Sequence, residues 1–285
     1  LIMSGQSGLK PRVLAAREKI SQARAKLHKR HNQGSPGIQI CAAMTDLLDS
    51  VLLDLYDGAL EQVTSSARER EELQSQLALV PHGGYGRRDV APYSDVDLML
   101  LYDPAAVDHI TLLAQTFTQD IYDSGLKLGF SARSIAEACT LSLQDISTFT
   151  SLAESRFLHG SVRLYSRYNN RFRRVRRRNR NRLLERIILE RRQERQQYGD
   201  TVYLLKPNIK RSRGGLRELQ LVRWIGFTRH GETDLDSLRR MGALTREDRN
   251  TLRSAYDFLL RLRNEMHFHA GKSQDLLTRE EQVRQ

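Results

Sequence analysis

The feature that most constrains the fold is residues 82–102, HGGYGRRDVAPYSDVDLMLLY, where glycines precede two aspartates. A short apolar segment at residues 76–80 comes before the glycines, and residues 95–102 form a nearly unbroken apolar run after them. Short apolar runs bounded by turn residues are typical of buried strands. We therefore predict two strands joined by a glycine turn and a short excursion, with the aspartates at the start of the second strand.

Two familiar phosphate-binding motifs do not fit these glycines. A P-loop has a lysine and then a serine or threonine after its last glycine, whereas Arg87 and Arg88 follow Gly86. A dinucleotide fingerprint has a third glycine and then a helix, but Asp89 occupies that position and a strand is expected next. The simplest remaining interpretation is an ordinary hairpin turn followed by a solvated strand start.

Asp95 and Asp97 suggest a functional interpretation of the same segment. Side chains two apart on a strand lie on the same face, so the two carboxylates repel each other unless a cation lies between them. Hard oxygen ligands favour Mg²⁺ or Mn²⁺, and glycine amides can approach a phosphate closely. Carboxylates and a glycine turn in this order indicate a site for phosphoryl or nucleotidyl transfer.

The rest of the chain is mainly helical in pattern. Apolar residues recur every three or four positions in residues 13–31 and 38–63, which predicts two helices separated by NQGSPG. We expect a helix over residues 104–122, a third strand over 126–133 and a short helix capped by Ser134. Residues 146–160 are ambiguous, and the pattern beyond Gly160 is helical except at residues 203–219. The predicted fold class is α+β: a small mixed sheet flanked by helices, with an N-terminal helical arm and an all-helical C-terminal region.

The charge of the chain is strongly positive. Lysine and arginine number 46 against 34 acidic residues, a net charge of +12, which favours an anionic partner. Much of the excess lies in residues 171–197. The second half of that segment mixes glutamates with arginines, as a solvated helix does, whereas residues 171–182 are basic enough to contact phosphate.

Location and cysteine chemistry are simpler to predict. No apolar stretch is long enough to cross a membrane, and the first residues lack the apolar middle of a signal peptide. We therefore expect a cytoplasmic protein with no membrane partner. Cys41 and Cys139 are too few for a disulfide framework and have no companion at metal-binding spacing. We expect both to be buried apolar residues.

The glycine and aspartate segment, ALVPHGGYGRRDVAPYSDVDLMLLYD, resembles the GG…D-x-D signature of the nucleotidyltransferase superfamily. In detail it is similar to the catalytic domain of the bacterial PII-protein uridylyltransferase family. Four later segments continue the likeness: DSGLKLGFSARSIAEA, AESRFLHG, LKPNIKRSRGGLREL and LLRLRNEMHFHAGKSQDLLTREEQ. The resemblance implies a nucleotidyltransferase-type sheet and three units. These are a helical region at residues 1–75, a catalytic domain at 76–165 and a helical uridylyltransferase-associated domain at 166–285.

The resemblance also implies a reaction. UMP would pass from UTP to a tyrosine of the PII signalling protein by Mg²⁺-dependent in-line attack, and pyrophosphate would leave. Asp95 and Asp97 are the implied Mg²⁺ ligands. Gly83 and Gly84 form the turn expected to meet the β- and γ-phosphates.

Three further site residues are predicted, one from the same likeness and two from their places beside the glycine turn and the acidic pair. A third carboxylate usually completes one metal site in this superfamily, and the pattern acid-x-Arg-x-x-x-Gly selects Glu154. Asp145 is the alternative, and a surface ion pair between Glu154 and Arg156 is the non-catalytic interpretation. Arg87 is positioned to clamp phosphate oxygens, and Ser94 to orient Asp95.

The chain departs from the family pattern at Pro81, His82, Arg88 and Glu218. Glutamate at 218 is closer to the related glutamine synthetase adenylyltransferases, so AMP transfer to that enzyme or another acceptor is an alternative. A basic nucleic-acid-binding module is less favoured, because few aromatic residues near the arginine run offer stacking surfaces. The chain has no His-Asp doublet, so we do not expect hydrolytic, uridylyl-removing activity.

Two other groups of residues invite a functional interpretation. Five cations surround a glycine pair that opens a predicted helix: Lys206, Lys210, Arg211, Arg213 and Arg217. They would either bind an anion at the start of that helix or belong to a tight loop. His267 and His269 have no third ligand nearby in sequence, so we expect packed imidazoles rather than a metal site.

Overall fold

The structure is a computed structural model that describes residues 8–284. Its N-terminal arm consists of α1, Pro11–Asn32, and α2, Gly37–Val63, as the apolar periodicity predicts. A third helix, α3, Ala67–Ser75, follows and begins at Ser66, whose side chain accepts a hydrogen bond from the amide of Glu69. Leu73 is its one buried residue, so this helix has no apolar stripe by which its sequence could be recognised.

Four strands form one sheet: β1, Leu77–Pro81; β2, Val96–Tyr102; β3, Leu128–Ser134; and β4, His159–Gly160. Their order is β3-β2-β1-β4. Strand β1 is antiparallel to both β2 and β4, whereas β2 and β3 are parallel. The sheet is therefore mixed, and the predicted α+β class is confirmed.

The segments between successive strands contain helices. The glycine turn is a single helical turn, α4, Gly83–Gly86, and a 3₁₀ turn, Pro104–Ala106, leads into α5, Val107–Asp123, which connects the parallel strands. Helix α6, Ile135–Gln144, begins with a capping box between Ser134 and Glu137. The remaining helices are α7, Ile146–Leu152; α8, Val162–Arg178; α9, Arg180–Tyr198; α10, Leu216–His230; α11, Leu235–Arg240; α12, Arg246–Ala270; and α13, Arg279–Arg284. The ambiguous residues 146–160 thus contain both a helix and a strand.

The two faces of the sheet are covered by different helices. Alternate residues of β1 and β2, such as Leu79 and Leu100, belong to one buried cluster with Tyr56 of α2 and Phe117 of α5. The residues between them, including Val80, belong to a second cluster formed largely by aromatic and aliphatic side chains of later helices: Phe149, Tyr168, Phe172, Ile187, Trp224 and Phe227. This second cluster runs across residue 165, the predicted domain boundary, so the sheet and the C-terminal helices share a core. The division into three units stays a prediction.

The N-terminal arm also contacts the C-terminal helices. A Cβ atom at Gly37 would lie 2.3 Å from the backbone nitrogen of Arg261, so glycine allows α2 and α12 to touch closely. The imidazole of His31 lies 2.6 Å from the carboxylate of Glu265. Among the helices of residues 8–284, none is both long and apolar enough to cross a membrane.

Candidate active site

A cavity of about 620 Å³ lies between the glycine turn, the start of β2 and helices α7, α9, α10 and α12. Six of the seven residues assigned to the site from the sequence line this cavity: Gly83, Gly84, Arg87, Ser94, Asp95 and Asp97. The cavity also has walls from distant parts of the chain. Apart from Lys210, Arg211 and Arg217, these residues were not predicted, because no local pattern marks them.

The acidic pair lies on the cavity wall. Asp97 is the second residue of β2 and is half-buried, while Asp95 directly precedes the strand and is exposed. The strand begins one residue later than predicted, at Val96. Burial raises the pKa of Asp97, and the charge of Asp95 adds to that rise, while Lys210, Arg87 and Arg217 oppose it. The two carboxylates are thus close enough to repel each other, and three cations are near enough to offset that repulsion.

Glycines on two elements make room for the Asp97 carboxylate. A Cβ atom at Gly83 would lie 2.7 Å from its Oδ2, and one at Gly129 of β3 would lie 2.8 Å from its Oδ1. Gly83 has φ +54°, a conformation that also favours glycine. The first amides of a helical turn have no partner within the turn, so those of Gly83 and Gly84 are available beside the carboxylates.

Arg87 was predicted to clamp phosphate oxygens, but its guanidinium is paired with carboxylates inside the protein. Its guanidinium is buried, donates to the Asp89 carboxylate at 2.7 Å and is bonded to Glu154. Tyr256 of α12 donates to the same carboxylate of Asp89. Arg87 therefore has two carboxylate partners that fix it behind the glycine turn, and it lines the cavity without being a free phosphate clamp.

Ser94 does not orient Asp95 in this structure. The hydroxyl of Ser94 is buried and has no hydrogen-bond partner within residues 8–284. The Ser94 backbone amide instead closes a turn by donating to the carbonyl of Ala91 at 2.9 Å. Ser94 lines the cavity, but the predicted contact with Asp95 is not formed.

The structure does not bring Glu154 to the acidic pair. Its carboxylate is bonded to Arg87, lies 3.3 Å from the guanidinium of Arg223 and is absent from the cavity lining. The predicted alternatives are not formed either, because Arg156 pairs with Asp49 at 2.5 Å. Asp145 caps α7 by accepting from the amides at the start of that helix. In the part of the chain that the structure describes, no group of three or more His, Cys, Asp or Glu side chains is placed to hold a metal.

A histidine next to the glycine turn was noted in the sequence only as a departure from the family. The Nδ1 atom of His82 lies 2.7 Å from the hydroxyl of Ser151, which lines the cavity. Burial, with a smaller contribution from Arg133, lowers the pKa of His82 to about 4. A neutral imidazole therefore fixes the Ser151 hydroxyl beside Gly83.

The basic segment after α9 divides into two groups. Lys210, Arg211 and Arg217 line the cavity, whereas Lys206 and Arg213 are exposed and do not. Arg191 and Arg263 also line the cavity and were missed. Arg191 belongs to the part of the arginine run that glutamates neutralise, and nothing near Arg263 in sequence suggests a site.

The other residues noted in the sequence have structural roles. His267 is buried, as predicted, and accepts from the amide of Tyr93. His269 is exposed rather than packed, and its imidazole lies 2.6 Å from the carboxylate of Glu281. Cys41 and Cys139 are buried free thiols, also as predicted. Within the arginine run, Arg176 is buried and donates to the carbonyl of Phe227.

Comparison with known proteins identifies the family. A family model described as GlnD PII-uridylyltransferase matches residues 182–285. The chain is 32% identical over 280 residues to a bifunctional uridylyltransferase/uridylyl-removing enzyme of Burkholderia vietnamiensis, covering 96% of this chain and 30% of the relative. An enzyme of the same description from Aromatoleum aromaticum is 36% identical over 210 residues, covering 72% of this chain and 24% of that protein. The chain thus spans about 30% of the length of the curated relatives that it matches along nearly its whole length. On this evidence the chain belongs to the GlnD family of PII-uridylyltransferases.

Proposed function

We propose that this chain transfers UMP from UTP to a tyrosine hydroxyl of the PII signalling protein, with Mg²⁺ as cofactor and pyrophosphate as the other product. The observation that carries the proposal is the position of Asp97 directly beside Gly83, in a cavity that Asp95 and Gly84 also line. Carboxylates that need a cation, next to amides that suit a phosphate, match the chemistry of a metal-bound nucleoside triphosphate.

The donor set fits Mg²⁺. Burial raises the pKa of Asp97, and the nearby charge of Asp95 adds to that rise, so a cation held by both carboxylates would relieve their repulsion. Mg²⁺ is commonly held by one or two carboxylates together with substrate phosphates and water, so a third protein carboxylate is not required. Asp95 and Asp97 would hold the ion, and when bound it would neutralise charge on the α-phosphate and lower the pKa of the attacking hydroxyl.

The chain itself contributes positioning. Gly83 and Gly129 leave the space that the Asp97 carboxylate occupies, since a Cβ atom at either position would lie within 3 Å of it. The amides of Gly83 and Gly84 are available to donate to phosphate oxygens that lie against the turn. Helices α9, α10 and α12 enclose the opposite side of the cavity, which reduces the access of water that would compete with the acceptor hydroxyl.

The choice of UTP and PII is supported by the relatives. Their printed names describe uridylyl transfer, and the matching family model is named for the PII protein. Those names also include uridylyl removal, but our proposal concerns transfer alone, because residues 1–285 contain no His-Asp doublet. A cytoplasmic location is part of the proposal, and the two free, buried thiols support it.

The alternatives lose support in the structure. The glutamate at 218 that suggested AMP transfer binds Arg191 and Arg195 and does not line the cavity. Within residues 171–182, Arg173 donates to the carbonyl of Gly231 and Arg176 to that of Phe227, so part of the basic segment has partners within the chain. We therefore propose neither adenylyl transfer nor nucleic-acid binding.

A donor and acceptor assay tests the proposal. Each of the four nucleoside triphosphates, labelled at the α-phosphate, is incubated with the chain, Mg²⁺ and purified PII. We expect label on PII from UTP, none when Mg²⁺ is chelated, and none on a PII variant whose acceptor tyrosine is phenylalanine. Preferred transfer from ATP would support the adenylyl alternative, and no transfer from any donor would contradict the proposal.

A further inference from the structure

The C-terminal helical region places two cations, Lys210 and Arg217, in the cavity. Lys210 precedes α10 and Arg217 is the second residue of that helix, and both line the same cavity as Asp97. Lys210 and Arg217 are both among the cations that oppose the raised pKa of Asp97. The two cations therefore lie near the acidic pair, although they belong to a different part of the fold.

The backbone around Lys210 is held firmly. The Lys210 amide donates to the Asn208 side chain at 3.1 Å, and the amide of Ile209 donates to the Asp275 carbonyl at 2.9 Å. Gly215 lets the segment fold tightly, since a Cβ atom there would lie 2.6 Å from the Ile209 carbonyl oxygen. Lys210 thus projects from a fixed loop, which limits the conformational entropy lost when it binds a ligand.

Other cavity cations already have anionic partners. Arg263 donates to Asp275 at 2.7 Å, and Arg191 is bonded to both Glu194 and Glu218 at 2.9 Å. Their charges are therefore largely neutralised inside the protein.

Lys210 and Arg217 are paired with anionic groups less completely than these neighbours. Arg217 is 3.5 Å from Glu194 and otherwise donates to the neutral side chain of Gln220. The ammonium of Lys210 makes no hydrogen bond or ion pair with any group in residues 8–284; burial, followed by Arg263 and Arg217, lowers its pKa to about 8. Clustered cations with few partners are as unfavourable as clustered carboxylates.

A metal-bound polyphosphate could interact with the acidic pair through its metal ion and with Lys210 and Arg217 through its phosphates. Phosphate oxygens accept hydrogen bonds from ammonium and guanidinium groups, and a triphosphate extends away from the carboxylates that hold its cation. Resting on the proposed function, we infer that Lys210 and Arg217 form the subsite for the β- and γ-phosphates of the donor, and so for the departing pyrophosphate.

This assignment gives the two cations a defined part in the transfer. The acceptor oxygen forms a bond to the α-phosphorus while the bond between that phosphorus and the α,β-bridging oxygen breaks. The bridging oxygen keeps the electron pair and leaves as part of pyrophosphate, and the proton of the acceptor hydroxyl passes to solvent. Lys210 and Arg217 stabilise the negative charge that grows on the departing group.

Binding of inorganic tripolyphosphate tests the subsite without any transfer reaction. Calorimetry is performed on the full chain in the absence of divalent metal. We expect Lys210→Met to weaken binding at least tenfold, while Lys206→Met, an exposed lysine four residues earlier, changes it less than twofold. Arg217→Met and the exposed Arg213→Met form a second matched pair. Thermal melting of each variant shows that the comparison is made between folded proteins.

The outcomes separate this inference from the proposed function. Wild-type protein that does not bind tripolyphosphate, or a Lys210→Met variant that binds as well as Lys206→Met, would overturn the subsite. The predicted loss in both cavity variants supports it, even if no nucleotide is transferred to PII. Conversely, uridylyl transfer that needs Mg²⁺ but is unaffected by both cavity substitutions would sustain the proposed function and refute the subsite.

Discussion

At the scale of single residues, the site depends on the absence of a side chain at two glycines as much as on the acidic side chains. The carboxylate of Asp97 lies where side chains at positions 83 and 129 would be. The acid pair alone therefore does not define the site, because the same aspartates beside larger residues would point elsewhere. This explains why glycines and aspartates in one segment carry more information together than either does alone.

A substitution at Gly83 tests this dependence. Alanine there would place Cβ 2.7 Å from the Asp97 carboxylate and 2.8 Å from the Ser151 hydroxyl, so we expect Gly83→Ala to reduce transfer at least a hundredfold, since small misplacements in an active site are costly. Gly242→Ala controls for backbone strain, because Gly242 has φ +75° with no atom within 4 Å of its Cβ position. Equal activities in the two variants would show that Asp97 does not need the space at Gly83.

Glu154 offers a test between two roles. In the structure its carboxylate neutralises the buried Arg87 and Arg223, so we expect Glu154→Gln to lower the free energy of unfolding by about 3–5 kcal/mol. Urea unfolding measures the change, and the exposed Glu247→Gln should stay within about 0.5 kcal/mol of wild type. A Glu154→Gln variant of normal stability that needs a higher Mg²⁺ concentration for transfer would instead make Glu154 the third metal ligand.

His82 predicts a specific pH dependence. Its pKa is about 4 in the folded chain because of burial and Arg133, against about 6.5 for an unfolded histidine. Below about pH 6.5 the unfolded state binds a proton that the folded state does not, so stability falls as the pH drops toward 4. Between pH 7 and pH 5 we expect wild type to lose about 1–2 kcal/mol more than His82→Gln. Urea unfolding at both pH values measures this loss of stability. An equal loss in wild type and in His82→Gln would show that His82 is not neutral and buried.

At the scale of elements, the glycine turn between β1 and β2 is held by contacts with helices α2 and α12. Asp89, just after the turn, accepts from Arg87 and from Tyr256 of α12. Arg88 has φ +67°, unusual for a residue with a side chain, and its guanidinium reaches Asp46 of α2 at 2.5 Å. The N-terminal arm and the C-terminal helices therefore both hold the turn in place.

Removing one hydroxyl tests this anchoring. Tyr256→Phe leaves the buried Asp89 carboxylate without one of its donors, which we expect to cost about 1–3 kcal/mol of unfolding free energy. Tyr203 is 89% exposed, so Tyr203→Phe is the matched control and should be neutral. A Tyr256 variant as stable as this control would mean that α12 does not support the turn.

The sequence predicted those elements whose own residues carry a pattern. Helices α1 and α2 have apolar stripes, and β1 and β2 are short apolar runs beside glycines and aspartates. Helix α3 was missed because Leu73 is its one buried residue. The pairing of Glu154 with Arg223 was missed because the two lie far apart in the sequence. Local patterns identify one wall of the cavity, but the opposite wall is assembled by tertiary packing.

At the scale of the whole molecule, the sheet and the C-terminal helices act as one body. They share a hydrophobic cluster that includes Val80 of β1 and Phe227 of α10. They also share the cavity, to which the sheet side contributes Asp95 and Asp97 and the helical side contributes Lys210 and Arg217. A cavity that combines these carboxylates and cations suits a ligand that carries both a metal ion and a chain of phosphates.

The most direct test of this account is transfer from α-labelled UTP to PII by the Asp95→Asn, Asp97→Asn double variant, with Mg²⁺ present and folding confirmed by thermal melting. Because the two carboxylates are the only charge removed, the account predicts that label transfer falls below detection while tripolyphosphate binding is retained. Label transfer at the wild-type rate would contradict it, since the acidic pair would then have no part in the reaction.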